Sequence, residues 1–78
     1  MKRYLIEKQE RELKWFEGGW DSDPLEESQT LEEFDNLNEA LEYYNNYTSD
    51  DDCYCLEIYD TFDAEFIESK EIVNSYPE

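Results

Sequence analysis

The sequence predicts an α+β domain: a small antiparallel sheet with one helix packed on one face, in the order β-β-α-β-β. Three observations carry that expectation. Residues 53–60, CYCLEIYD, alternate between apolar and mixed positions at the period of a strand. Residues 65–73, EFIESKEIV, have the composition of a returning strand, and TFDA before them makes a plausible turn. Upstream, NLNEALEYYNNY places Leu37, Ala40, Leu41, Tyr44 and Tyr47 or Thr48 at the spacing of one helical face. Seventy-eight residues make one domain at most, so the whole chain, 1–78, is read as a single acidic domain. Aromatic residues are 17% of the chain, which separates it from disordered acidic tails and supplies large side chains for a small core.

The first segment, KRYLIEKQERELKWFEGGW, is ambiguous. As a helix it has good formers, Glu7–Arg11 and Glu10–Lys14 at i,i+4, and Gly18 as a stop. A helix using Leu5, Leu13 and Phe16 would, however, set Gln9 in its apolar stripe. As a hairpin, RYLIEK and ELKWFE are two strands joined near Gln9 and Glu10, although that turn lacks Gly or Asn. The hairpin is the preferred expectation. GGWDSDPLEESQ follows as a turn-rich loop, with Asp23 held extended by Pro24.

Asn36 with Glu39 forms a capping pair for the helix: a side-chain acceptor at the N-cap and an acid three residues on. Thr30 with Glu33 is an alternative start, and residues 30–35 are equally compatible with a short extended segment. In the next strand Tyr54, Leu56 and Ile58 share one face, and Cys53, Cys55, Glu57 and Tyr59 the other. The two cysteines are then roughly 6.5–7 Å apart by strand rise, at or beyond the usual disulfide limit, and are expected to be reduced. NSYPE should fray.

Charge dominates the composition. There are 23 acidic against 6 basic residues, a formal net charge of −17. Five of the six basic residues lie within the first fourteen positions, and Lys70 alone opposes the 20 acids from Trp15 onward. Such a surplus repels itself and opposes compaction. It excludes direct binding to nucleic acid or to an anionic membrane, both of which require positive potential. No apolar run is long enough for a membrane span or a secretory signal, so the cytoplasm is the default expectation.

YLIEK…WFEGGW, then DP, then FDNLNEALEYY resembles many small phage-encoded proteins, which open with a hairpin, carry a W…DP loop and continue into a helix start of this kind. The likeness covers roughly residues 4–47 and implies fold more than activity. In charge and size the chain also resembles the acidic phage inhibitors of bacterial defence, the anti-CRISPR and anti-restriction DNA mimics. That likeness is one of composition.

Catalytic chemistry finds little support. The chain has no histidine, and its only two glycines are adjacent at 18 and 19, which excludes a His-based general base and a Gly-rich phosphate loop. Acidic surroundings raise rather than lower the pKa of a cysteine nucleophile. No enzyme activity and no cofactor are expected. Asp21, Asp23 and Glu32 fit three positions of a calcium loop, but Leu25 and Glu26 stand where an oxygen ligand and a glycine are required. Zinc at Cys53 and Cys55 would need two carboxylates to complete it. No metal site is expected.

The acidic surface remains. Solubility of a small domain is served by a net charge of about 2 to 8, and −17 exceeds that. Carboxylates at i,i+2 on a strand or i,i+4 on a helix lie roughly 6–7 Å apart, near the spacing of successive phosphates. Glu39, Glu42, Asp50, Asp51, Asp52, Asp60, Asp63 and Glu65 are the expected track, with Tyr43 and also Tyr47 or Tyr59 facing arginine planes. The expected partner is a basic nucleic-acid-binding protein or CRISPR effector complex. The alternative is a small acidic interaction module for a basic surface unrelated to nucleic acid, and a third is a domain stabilised by calcium.

Overall fold

The computed structural model describes residues 2–77. Five strands and one helix follow in the order β1 (Tyr4–Phe16), β2 (Gly19–Pro24), β3 (Gln29–Phe34), α1 (Leu37–Asn46), β4 (Cys53–Asp60) and β5 (Glu65–Val73). All pairings are antiparallel: β1 with β2, β3 and β4, and β4 with β5. The fold is α+β as expected, but the order is β-β-β-α-β-β rather than β-β-α-β-β.

The correction lies in the first half of the chain. There is no turn at Gln9 and Glu10. β1 runs through them as one 13-residue strand, and at ~3.3 Å per residue it accounts for the 42 Å long axis of a molecule only 23 and 19 Å across. The turn falls instead at Glu17 and Gly18, with Phe16 opposite Gly19 and Gly18 at φ 90°. The segment expected as a loop from Gly19 becomes β2. The Glu10 carbonyl accepts from the Leu25 amide at 3.0 Å, and pairing resumes with Lys8 opposite Gln29. Residues 26–28 therefore bulge opposite Gln9, and β3 continues along the same edge of β1. Residues 29–34 take the extended form, so Thr30 caps nothing.

The polar run EKQERE sits in a strand because its partners accept it. Lys8 reaches Asp51 and Ser49, Thr30 donates to Glu7, and Arg11 donates to Gln9, Ser22 Oγ and the Ser22 carbonyl. A sheet with one face open to water tolerates such residues within a strand.

Asn36 is the N-cap, accepting from the amides of Asn38 and Glu39 at 2.8 and 3.2 Å. Ala40 and Tyr44 are the buried helix positions. They meet Tyr4, Ile6, Tyr54, Leu56 and Ile58 in one cluster, with Leu31, Leu37 and Leu41 at its border. The helix lies against β1, β3 and β4. Each fully buried Ile or Leu contributes about 1.5–3 kcal/mol, so this small cluster carries much of the stability of a short chain.

β4 follows the expected alternation, and the turn at residues 61–64 returns the chain into β5 over the expected span. Both cysteines are free; Cys53 is buried and Cys55 half-buried. Burial pushes both thiols up, and Glu71 beside them adds to the shift. The C-terminal stretch is held at its start, where the Asp52 carbonyl accepts from the amides of Asn74 and Ser75.

Candidate functional site: the acidic surface and its aromatic groove

The candidate residues fall into three groups. Glu39, Glu42 and Tyr43 lie along the outer side of α1. Asp50, Asp51 and Asp52 occupy the loop from α1 to β4. Asp60, Asp63 and Glu65 surround the turn from β4 to β5. The second and third groups sit at opposite ends of β4, about 23 Å apart by strand rise.

Two of these acids are turned to the protein's own use. Asp60 is only 2% exposed. It accepts from Arg3 Nε and Nη2 at 3.1 and 3.0 Å and from the Phe62 amide at 2.9 Å. These bonds, the Arg3 contact first, hold its carboxyl below the usual carboxylate range. Asp51 accepts from Lys8 and Ser49, and the Lys8 contact holds it low in the same way. Asp50, Asp52, Asp63 and Glu65 are exposed, whereas Asp60 is buried and Asp51 half-buried.

The same accounting applies to the cations. Arg3 also lies 3.6 Å from Asp63, and Lys14 pairs with Asp23 at 3.3 Å. Arg11 is spent on Ser22 and Gln9. Lys70, the lone base of the C-terminal half, donates to the Tyr44 carbonyl at 3.0 Å. It thereby supplies positive charge at the helix C-terminus, which has no basic residue of its own. Five of the six basic side chains thus have a partner within the protein, although Lys14 and its partner Asp23 are both exposed, as is Lys2.

On the outer side of α1 the structure brings together more than the carboxylates. Phe34, Tyr43, Tyr47 and Tyr54 form a ladder of rings with centroid separations of 5.6, 5.9 and 6.0 Å. Tyr43 and Tyr47, one helical turn apart, are stacked with 27° between their planes. Phe34, Tyr43 and Tyr47 floor an open groove of about 540 Å³, and Glu39, Glu42 and Asn46 form its rim. No lining residue is basic. Burial, then Tyr47 and Glu32, push the Tyr43 phenol up, so it stays neutral. Tyr59 lies elsewhere, against Phe66 with ring centroids 5.0 Å apart.

Sequence reasoning missed Phe34 and the groove it closes. The i,i+4 spacing of Tyr43 and Tyr47 was the available signal; Phe34 joins them only because β3 delivers it beside the helix. It also missed the hairpin tip, where Trp15 and Trp20 face each other across β1 and β2 with centroids 5.2 Å apart and Tyr76 lies 5.4 Å from Trp20.

Asp21 and Asp23 belong to β2 and Glu32 to β3, so the two ends of the apparent calcium loop lie in separate strands. Among the described residues no group of three or more acidic or cysteine side chains is placed to hold a metal ion. No helix among them is long and apolar enough to cross a membrane. Comparison with known proteins finds no family model, no curated protein and no solved structure that matches this chain.

Proposed function

We propose that this protein is a non-enzymatic inhibitor of a bacterial nucleic-acid-binding defence protein, a CRISPR effector or a restriction enzyme. It acts in the bacterial cytoplasm as a mimic of DNA and occupies the partner's basic groove. The observation that carries the proposal is charge density on an elongated body. Seventeen net negative charges over a 42 Å axis are one per about 2.5 Å, against one per ~1.7 Å of duplex DNA. Internal use of the cations keeps that density on the outside.

The mechanism is competition. A basic groove that binds DNA gains by releasing counterions from the phosphates, and it gains in the same way by accepting a surface of carboxylates. The exposed acids of α1, of the 47–52 loop and of the 61–64 turn are the proposed contacts. Asp51 and Asp60 hold the scaffold that presents them.

A second reading is favoured by the groove on α1, which is a local, shaped feature that a long charge track does not require. In that reading the protein is an acidic interaction module for a basic surface unrelated to nucleic acid.

Affinity capture from bacterial lysate separates the two. Under the first, the captured protein is a nuclease or nucleic-acid-binding complex, and digesting the lysate's DNA and RNA beforehand increases its recovery. Recovery of a protein whose nucleic-acid binding persists while it is bound here overturns the first reading and leaves the second.

A further inference from the structure

We propose that the groove on α1 seats an arginine side chain of the basic partner, its guanidinium against the groove's tyrosine rings and paired with Glu39 and Glu42. This deepens the proposed function and rests on the reading that the partner is basic.

The protein demonstrates the required chemistry on its own cations. Arg3 lies 5.1 Å from the Tyr4 ring and 4.9 Å from the Phe62 ring while bonded to Asp60. Lys8 lies 5.3 Å from Tyr54 and 5.9 Å from Tyr47 while bonded to Asp51. Both cations are held by the same pair of features, an aromatic face and a carboxylate. The groove on α1 repeats those features with no basic residue in its lining. One end of its ring ladder is already used by Lys8 at Tyr47 and Tyr54; Tyr43 and Phe34 continue it beyond that point.

Arginine fits better than lysine. Its planar guanidinium stacks on aromatic faces and binds carboxylates through two parallel hydrogen bonds. Tyr43 and Tyr47, stacked on one another, both line the groove and give it an aromatic surface. Glu39 and Glu42, at i,i+3, project from neighbouring positions of one helix face. At about 540 Å³ the groove lies within the ~300–1,000 Å³ range of ligand pockets, so flanking main chain has room beside the side chain.

The test is a two-dimensional NMR titration at low salt with an acetylated, amidated Gly-Arg-Gly-Arg-Gly peptide, beside its lysine and citrulline counterparts. The expected result is that the arginine peptide shifts Tyr43, Tyr47 and Glu42 most, binds more tightly than the lysine peptide, and that the citrulline peptide binds at least tenfold more weakly. Tyr43→Leu and Tyr47→Leu should each weaken the arginine peptide about two- to fivefold, the scale of an exposed cation–π contact. Tyr43→Phe keeps the ring and should keep the affinity. Glu42→Gln leaves the rings untouched and serves if a leucine variant fails to fold; it should weaken the arginine peptide as well. If the peptide binds but its shifts centre on Asp50, Asp52, Asp63 or Glu65, and Tyr43→Leu and Glu42→Gln bind normally, the groove assignment fails and the acidic-inhibitor reading stands. If no cationic peptide binds anywhere on the protein, both fail.

Discussion

The ammonium of Lys70 lies 4.1 Å from the centre of the Tyr44 ring and donates to the Tyr44 carbonyl at 3.0 Å. One cation from β5 thus covers a core aromatic and satisfies a carbonyl at the end of α1. It does so in a half of the chain that has no other base. Lys70→Met keeps the aliphatic stem and removes the donor. Hydrogen bonds to charged groups contribute about 1.5–3 kcal/mol, so chemical denaturation should show a loss of about that size. An unchanged midpoint would mean that Lys70 only covers the ring.

Arg3 and Asp60 fix the start of β1 to the end of β4. The Asp60 carboxyl is held low by Arg3, and that of Asp51 by Lys8. A carboxyl lowered in the folded state favours folding above its unfolded value of ~3.9, and that contribution drains away as pH falls through the folded value. The gap in thermal midpoint between wild type and Asp60→Asn should therefore be constant above about pH 5 and close toward pH 2. Asp60→Asn should also cost more than Asp63→Asn, whose carboxylate is exposed. A gap that persists undiminished at pH 2 contradicts this assignment.

Monovalent salt should stabilise the fold. The Debye length falls from ~30 Å at 0.01 M to ~8 Å at 0.15 M, against a 42 Å body carrying −17. At low salt most of the carboxylates feel one another. Differential scanning calorimetry should show the midpoint rising with sodium chloride, and calcium chloride at matched ionic strength should add nothing. A further rise with calcium alone would restore the calcium-stabilised reading.

Gly18 stands at φ 90° with open space where a Cβ would go. A side chain there meets backbone strain and no clash. Gly18→Ala should cost about 1–2 kcal/mol, confined to the β1–β2 hairpin tip. Near-ultraviolet circular dichroism, dominated there by the Trp15–Trp20 pair, should change while the far-ultraviolet helix signal does not. An unchanged tryptophan signal would mean that the turn lies elsewhere.

The second half of the chain was legible because each element there obeys one local rule. Asn36 caps, Ala40 and Tyr44 face inward, Tyr54, Leu56 and Ile58 alternate, and the TFDA turn returns the strand. The first half was not, because its rule is tertiary. Glu7, Lys8, Gln9, Glu10 and Arg11 read as a break between two short strands, yet side chains from β2, β3 and the 47–52 loop satisfy them within one long strand. The two adjacent glycines were the local signal for the true turn. On the acidic surface the sequence pointed to carboxylates, and most of those it singled out are exposed. It did not reveal that Asp51 and Asp60 are paired with Lys8 and Arg3, since that depends on where the fold carries those two cations. Nor did it reveal Phe34 beside Tyr43, two residues that only β3 and α1 together bring into contact.

On the proposed function, this surface takes the place of nucleic acid in the partner's groove. The most direct measurement is fluorescence anisotropy of a labelled DNA duplex bound to the captured partner, titrated with this protein at several salt concentrations. A DNA mimic should release the DNA stoichiometrically, less effectively as salt rises, and its action should be blunted by neutralising Glu39, Glu42, Asp50 and Asp52 together. A ternary complex in which the DNA stays bound while this protein saturates the partner would contradict it.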